Sequence, residues 1–287
     1  MKVLKFGGTS VGSVEAIGKV AEILKKESGQ EQLVVVVSAM SGVTNTLISI
    51  SQKAAVRDAS YESDLQALEE KHCTAFKKLT GNSNCFEISK LFVRLTEICR
   101  GVYLLRELTP RTSDYIQSCG ERLSSYIISE HLKKEGLQVE LFDSRKYLIT
   151  HKKFGGANVL WQSTKAALQE LKPQLAPISV FPGFIASTSD NETSTLGRGG
   201  SDYTAAVLAN VLGASQLEIW TDVNGLMTAD PRLVPSAHLL EHVSYEEALE
   251  LSHFGAKVLY PPSIQPALDA EIPIWVKNTF DADGPST

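Results

Sequence analysis

Apolar residues follow two rhythms along this chain, and their order predicts a fold before any chemistry is considered. Val3–Phe6 is a short apolar run, interrupted by Lys5 and broken at once by Gly7-Gly8, which predicts a buried strand ending in a turn. From about Ser13 the spacing changes: Ile17, Val20, Ala21 and Leu24 fall on one helical face. Leu33–Val37 is β-branched at four of five positions and opens into Ser38, Met40, Ser41 and Gly42, the pattern of an interior strand entering a loop. Strand, helix and strand joined by short links predict a parallel α/β unit.

Residues 44 to about 135 read as helix. Leu65, Leu68, His72, Ala75, Phe76 and Leu79 form one stripe, and Ile88, Leu91, Phe92, Leu95, Cys99, Val102 and Leu105 form a second. A third runs through Tyr115, Cys119, Leu123, Tyr126 and Ile127 into Leu132. At these spacings His72 and the cysteines are core or core-edge residues. Strands resume at Val139–Phe142 and Ile178–Phe181. A helix is predicted from Ser201–Asp202 to the stop at Gly213, then a strand at Leu217–Trp220 with Thr221-Asp222 at its end. Ser244-Tyr-Glu-Glu247 has capping-box spacing, Pro261-Pro262 opens one more helix, and Pro273–Val276 is the last strand.

Composition narrows the class. Of 287 residues, 43% are hydrophobic and 21% charged, which is ordinary for a globular chain and excludes disorder, collagen and coiled coil. The net charge is −5 and no Lys/Arg run exceeds two, so a duplex nucleic acid finds no basic face here. Cys73, Cys85, Cys99 and Cys119 are scattered without a Cys-x-x-Cys pair, which is neither a metal framework nor a disulfide scaffold. No apolar run is longer than the five residues of Leu33–Val37, against roughly 20 for a membrane span. The expectation is a cytoplasmic chain with no membrane partner.

Three polar, glycine-containing loops follow strands or open helices: residues 7–13, 38–45 and 197–202. In an open α/β sheet ligands bind where strand ends meet helix starts, and glycine lets backbone N–H groups approach a phosphate. Gly7 and Gly12 have P-loop spacing, but Ser13-Val14 follows where Lys-Ser/Thr is required. Lys5 instead precedes the turn from inside the strand. It could aim its ammonium at anions held by the loop, or reach solvent from an edge strand; position alone leaves both open. Gly197-Arg198-Gly199-Gly200-Ser201-Asp202 resembles a broken dinucleotide fingerprint, with Asp202 where the last glycine belongs, which disfavours hydride chemistry. Arg198 offers a planar fork for a carboxylate, and Asp202 is equally placed as a helix cap. Thr221, Asp222, Asp230 and Arg232 make a polar mouth at the end of a central strand, although Asp230 before Pro231 is ordinarily a turn residue.

His238-Leu-Leu-Glu241-His242 matches a zinc-site pattern, but Pro235 precedes it and a new helix caps at Ser244, leaving only a strand-length segment. No Gly-x-Ser-x-Gly nucleophile elbow is present. From residues alone, ATP-dependent transfer to a small carboxylate or amine leads, with a non-catalytic ligand-binding protein still open.

Lys5-Phe-Gly-Gly-Thr-Ser10-Val11 resembles the signature of aspartate kinases, within the amino acid kinase superfamily. Further blocks follow in that family's order: Ser38-Ala-Met-Ser-Gly-Val-Thr44-Asn45, Gly120-Glu121-Arg122-Leu123-Ser124, Pro182-Gly-Phe184-Ile-Ala, Gly197–Asp202, Trp220-Thr-Asp-Val-Asn-Gly225, Thr228-Ala-Asp-Pro-Arg232 and Phe254-Gly-Ala-Lys257-Val-Leu. The resemblance implies an αβα three-layer sandwich around a mainly parallel sheet. It also implies an aspartate-binding lobe over about 1–195 and an ATP-binding lobe over about 196–280. The implied reaction converts ATP and L-aspartate to ADP and 4-phospho-L-aspartate, the entry to lysine, threonine, methionine and isoleucine synthesis.

The same resemblance implies the roles. Lys5 holds the transferring phosphates and Asp202 orients it. Arg198 clamps a substrate carboxylate and Glu121 pairs with the α-ammonium. Ser38, Thr44, Phe184, Gly199, Gly200 and Ser201 surround aspartate. Gly7, Gly8, Ser10, Thr221, Asp222, Met227, Asp230, Arg232, Lys257 and Val258 surround ATP, with Mg²⁺ carried on its phosphates rather than on direct protein ligands. Met227 stands where many relatives have tyrosine, so a thioether replaces a hydroxyl there. Residues 281–287 are expected to begin a linker to regulatory ACT domains, and the full-length form is expected to be a homodimer. Glutamate 5-kinase or acetylglutamate kinase chemistry, or a catalytically idle sensor, are the alternatives.

Overall fold

The computed structural model describes residues 1–229, 233–234, 236–254 and 260–287. Its centre is a six-stranded sheet built from β1 (Lys2–Phe6), β2 (Leu33–Val37), β3 (Val139–Leu141), β5 (Ile178–Pro182), β8 (Gln216–Thr221) and β9 (Ile274–Asn278). The order is β3-β5-β2-β1-β8-β9 and every pairing is parallel. Every residue of β2 is fully buried, as a strand covered on both faces requires.

Strand alternation sorts side chains between two cores. Leu4, Phe6, Val35 and Val37 join a cluster with α1 (Val14–Glu27), α2 (Val43–Ala55), α3 (Ser60–Thr80), α4 (Phe86–Leu105) and α5 (Pro110–Lys134). Val3, Val34 and Val36 point the other way, into a cluster with α6 (Trp161–Leu171), α7 (Gly200–Leu212) and α9 (Pro261–Asp269). The result is the expected α/β sandwich of three layers. Local chemistry sets the helix ends. The Ser13 hydroxyl accepts from Ala16 N–H at the start of α1, and Thr109 caps α5 ahead of Pro110. At α8 (Tyr245–Phe254) the reciprocal box is formed: Ser244 N–H donates to Glu247 Oε2 at 2.7 Å and Glu247 N–H to Ser244 Oγ at 3.2 Å. His72 is fully buried in the helical layer, and burial pushes its imidazole down to about 4.

The sequence pattern did not disclose α6 or a second, three-stranded sheet of β4 (Ile149–Thr150), β6 (Ile185–Thr188) and β7 (Thr193–Thr195). That sheet is rich in hydroxyl residues and still buried, so no apolar alternation marks it. Its hydroxyls are paired instead, as between Thr150 Oγ1 and Ser194 Oγ at 2.8 Å. Residues 281–287, read as a linker, fold back onto β9: Val276 and Thr287 exchange backbone hydrogen bonds, and the Thr287 hydroxyl donates to the Leu240 carbonyl.

Candidate active site

The carboxyl ends of β1, β2, β5 and β8 open into a cleft of about 530 Å³, the location physical reasoning assigns to ligands in such sheets. Lys5 reaches it because of register. It lies on the same face of β1 as Val3, facing α7, and β1 is flanked by β2 and β8. The edge-strand alternative for this lysine is therefore excluded. Its Nζ lies 2.6 Å from Oδ1 of Asp202, in the first turn of α7. The two groups form an ion pair at contact distance. Both side chains are only slightly exposed, at 11% and 13%.

The opposite wall is α5. Glu121 is buried, and its Oε1 accepts from Ala39 N–H at 3.2 Å. Its Oε2 is buried with no partner. Loss of water pushes its carboxyl up to about 8, only partly offset by the Ala39 bond. A buried carboxylate oxygen without a donor is costly, so the geometry prepares this wall for a cation.

Between these walls lie Gly7 and Gly8 after β1, Ser38 after β2 and Thr44 at the start of α2. Phe184, Gly199, Gly200 and Ser201 close the far side, and Thr221 and Asp222 line the end of β8. Phe184 has φ 67°, a left-handed conformation that a bulky residue adopts only when its surroundings enforce it. Leu196 N–H donates to its carbonyl, and its own N–H donates to Thr204 Oγ1 at 3.1 Å. A Cβ on Gly200 would come within 2.8 Å of the Phe184 ring and 3.2 Å of its Cα, so only glycine lets α7 begin there.

Three expected residues lie elsewhere. Ser10 is fully buried; it donates to the Trp220 carbonyl at 3.2 Å and accepts from Thr279 Oγ1 at 2.7 Å, tying β8 to the end of β9. Arg198 is exposed, with its guanidinium over the Tyr260 ring at 5.1 Å from the centroid. Met227 is half-buried and forms an antiparallel bridge with Leu239. Asp230, Arg232, Lys257 and Val258 lie outside the described residues. Sequence reasoning did not single out Thr9 and Gly197, which also line the cleft, though both fall inside the glycine loops it marked. It also missed Asp114, a buried acid on α5.

The residues around His238 are extended, with Thr228 N–H bonded to the His238 carbonyl and Leu240 N–H to Leu226, so the helical zinc geometry is absent. Among the described residues no group of three or more His, Cys, Asp or Glu is placed to hold a metal ion. No helix among them is long and apolar enough to cross a membrane.

The model of the amino acid kinase family matches residues 1–278. The chain is 40% identical over 291 residues to a chloroplastic bifunctional aspartokinase/homoserine dehydrogenase of Daucus carota, covering 99% of this chain and 31% of that protein. It is 36% identical over 282 residues to the lysine-sensitive aspartokinase 3 of Escherichia coli, covering 97% of this chain and 62% of that protein. The crystal structure of E. coli aspartokinase III in complex with aspartate and ADP superposes with a TM-score of 0.88 at 34% identity, covering 98% of this chain and 62% of that one. The chain thus spans about a third of the bifunctional relative and less than two thirds of the shorter ones. With the family match running from the first strand to the last, and with a parallel sheet opening on a lysine–aspartate pair, this chain belongs to the amino acid kinase family.

Proposed function

We propose that this chain transfers the γ-phosphoryl group of ATP to the side-chain carboxylate of L-aspartate, giving ADP and 4-phospho-L-aspartate. The observation that carries the reading is the unpartnered, buried Oε2 of Glu121 facing the same cleft as the Lys5–Asp202 pair. An α-ammonium supplies the missing counter-charge to Glu121, and each ion is desolvated only as its partner arrives. Ser38, Thr44 and Ser201 offer hydroxyls around the amino acid. Arg198, at a loop whose flanking residues Gly197 and Gly199 line the cleft, is proposed to leave Tyr260 and take the α-carboxylate in its planar fork. The comparisons support the choice of acceptor, since the relatives are aspartokinases over nearly the whole chain.

The acceptor carboxylate is already ionised near neutral pH, so the protein needs no general base. What remains is positioning and neutralisation of charge. Lys5 holds the phosphoryl oxygens, Asp202 fixes the lysine, and Gly7 and Gly8 bring backbone close to the phosphates. A Cβ on Gly8 would meet the Ala39 carbonyl at 3.2 Å, so the turn is as tight as a phosphate cradle requires. Thr221 and Asp222 extend the nucleotide side. Magnesium carried on the phosphates would supply further charge neutralisation, and Asp202, paired with Lys5, would orient the metal-phosphate cluster. The segment of about 1–195 is proposed to carry the aspartate side and about 196–280 the ATP side, with Lys5, Gly7 and Gly8 reaching the phosphates from the first and Arg198 and Ser201 reaching aspartate from the second. A homodimeric longer form and a cytoplasmic setting belong to the same proposal.

The test is ADP release with Mg²⁺-ATP and L-aspartate, with the acyl phosphate trapped by hydroxylamine. Aspartate-dependent hydroxamate, absent without acceptor and weak with L-glutamate, is the expected result. Hydroxamate formed from glutamate in preference to aspartate overturns the acceptor assignment.

A further inference from the structure

Asp114 sits on α5 seven residues before Glu121, two turns away on the same helical face. It is fully buried. Its carboxylate is held by two backbone N–H groups and one hydroxyl. Gly155 N–H donates to Oδ1 at 3.1 Å and to Oδ2 at 3.0 Å. Thr195 N–H donates to Oδ2 at 2.9 Å, and Thr195 Oγ1 donates to Oδ1 at 3.0 Å. Burial pushes the carboxyl up, and these donors pull it back.

Both partners lead directly to the cleft. Thr195 is two residues before Gly197, which begins the loop to Arg198 and Asp202. Gly155 precedes Gly156, which crosses Gly197 so closely that a Cβ on Gly197 would lie 3.2 Å from the Gly156 Cα. One carboxylate thus clamps the two segments that support the 197–202 loop to the helix that carries Glu121.

We propose that Asp114 is a positioning residue for the acceptor site, setting the spacing between Glu121 and the 197–202 loop. This rests on the function proposed above. A residue that only held the fold together would alter stability and both substrates alike; Asp114 acts through the Gly197–Arg198 end of the loop, on the amino acid side, while Asp202 is seated in the first turn of α7 against Lys5.

Asp114→Asn keeps the size but turns an amide N–H₂ toward donors. In the full chain it is expected to raise the KM for aspartate about tenfold while the KM for ATP stays within about twofold, the loss of one or two buried acceptor contacts. Hydrogen exchange in peptides covering 153–158 and 195–202 is expected to speed up, with peptides from β1 and β2 unchanged. Thr195→Val, which removes only the hydroxyl donor, is expected to reproduce part of the KM rise, and Thr195→Ser to restore the wild-type value. Equal shifts in both KM values, wild-type exchange in the two loop peptides, or identical behaviour of the two Thr195 variants overturns the proposal. If Asp114→Asn does not fold, the Thr195 pair decides. If the wild-type chain makes no aspartyl hydroxamate, the functional reading has failed, and the exchange measurement still decides the clamp.

Discussion

Two carboxylates face the same cleft from opposite walls, and their surroundings treat them differently. Asp202, on α7, arrives with its counter-ion in place, Lys5 at 2.6 Å from the neighbouring strand. Glu121, on α5, has one backbone donor and one buried oxygen with nothing opposite. The first wall is neutral before any ligand enters, so it can present the lysine to phosphates without paying for an isolated charge. The second is incomplete, and burial holds its carboxyl up at about 8 until a cation comes. The difference fits the two jobs proposed above, a permanent ion pair to orient the phosphates and an unsatisfied acid to recognise the ammonium.

The largest expected effect breaks the neutral wall. Lys5→Ala removes the cation and leaves Asp202 half-buried without its partner, and hydroxamate formation at saturating substrates should fall by about 10²–10³-fold or more. Circular dichroism should report an intact fold, since the β1 ladder to β2 and β8 and the buried Val3, Leu4 and Phe6 are unchanged. Near-normal turnover would remove Lys5 from the reaction.

Glu121→Gln sharpens the contrast at the other wall. The aspartate KM should rise by about tenfold or more, with the ATP KM little changed, because only the ammonium partner is lost. The pH dependence separates this from mere loss of shape. Free Glu121 is protonated below about 8 and must release its proton to hold an ammonium. Aspartate affinity of the wild type should therefore improve as pH rises from 6 toward 8 and then level off, and the variant should be flat. The stability sign is opposite. A carboxyl raised from 4.5 to about 8 stabilises the unliganded fold fully below pH 4.5 and loses that contribution as pH rises through about 8. Thermal melts should show the variant gaining on the wild type between pH 6 and 8.5.

The smallest effect concerns how α7 is seated. Gly200→Ala forces a methyl against Phe184 and should cost about 1–3 kcal/mol by overpacking, read from denaturant melts. Activity should fall mainly through aspartate KM, as Phe184 lines the cleft between the two walls.

Much of this arrangement is written in local pattern. Leu33–Val37 is apolar throughout and became the fully buried β2. The three i, i+3, i+4 stripes between residues 65 and 132 became α3, α4 and α5, and glycine loops after strands marked the cleft. Other features have no local signature. Ser10 and Lys5 sit in one sequence block, yet Ser10 turns inward to Trp220 and Thr279 while Lys5 faces α7. Arg198 and Asp202 share a loop, and only Asp202 points at Lys5. The hydroxyl-rich second sheet lacks alternation because its buried groups are hydroxyls satisfied within the sheet and by Asp114 and Arg145 beside it.

By itself the sequence determined the strands of the main sheet and most of its flanking helices, the parallel α/β class and the loops able to approach an anion, because periodicity and glycine placement act within a few residues. Only the tertiary structure decided which polar groups meet. Asp114 finds its donors 41 and 81 residues away, and Glu121 meets Ala39 across 82. Such pairings are selected by the cost of burying a polar group without a partner, and that cost exists only after distant segments have packed together.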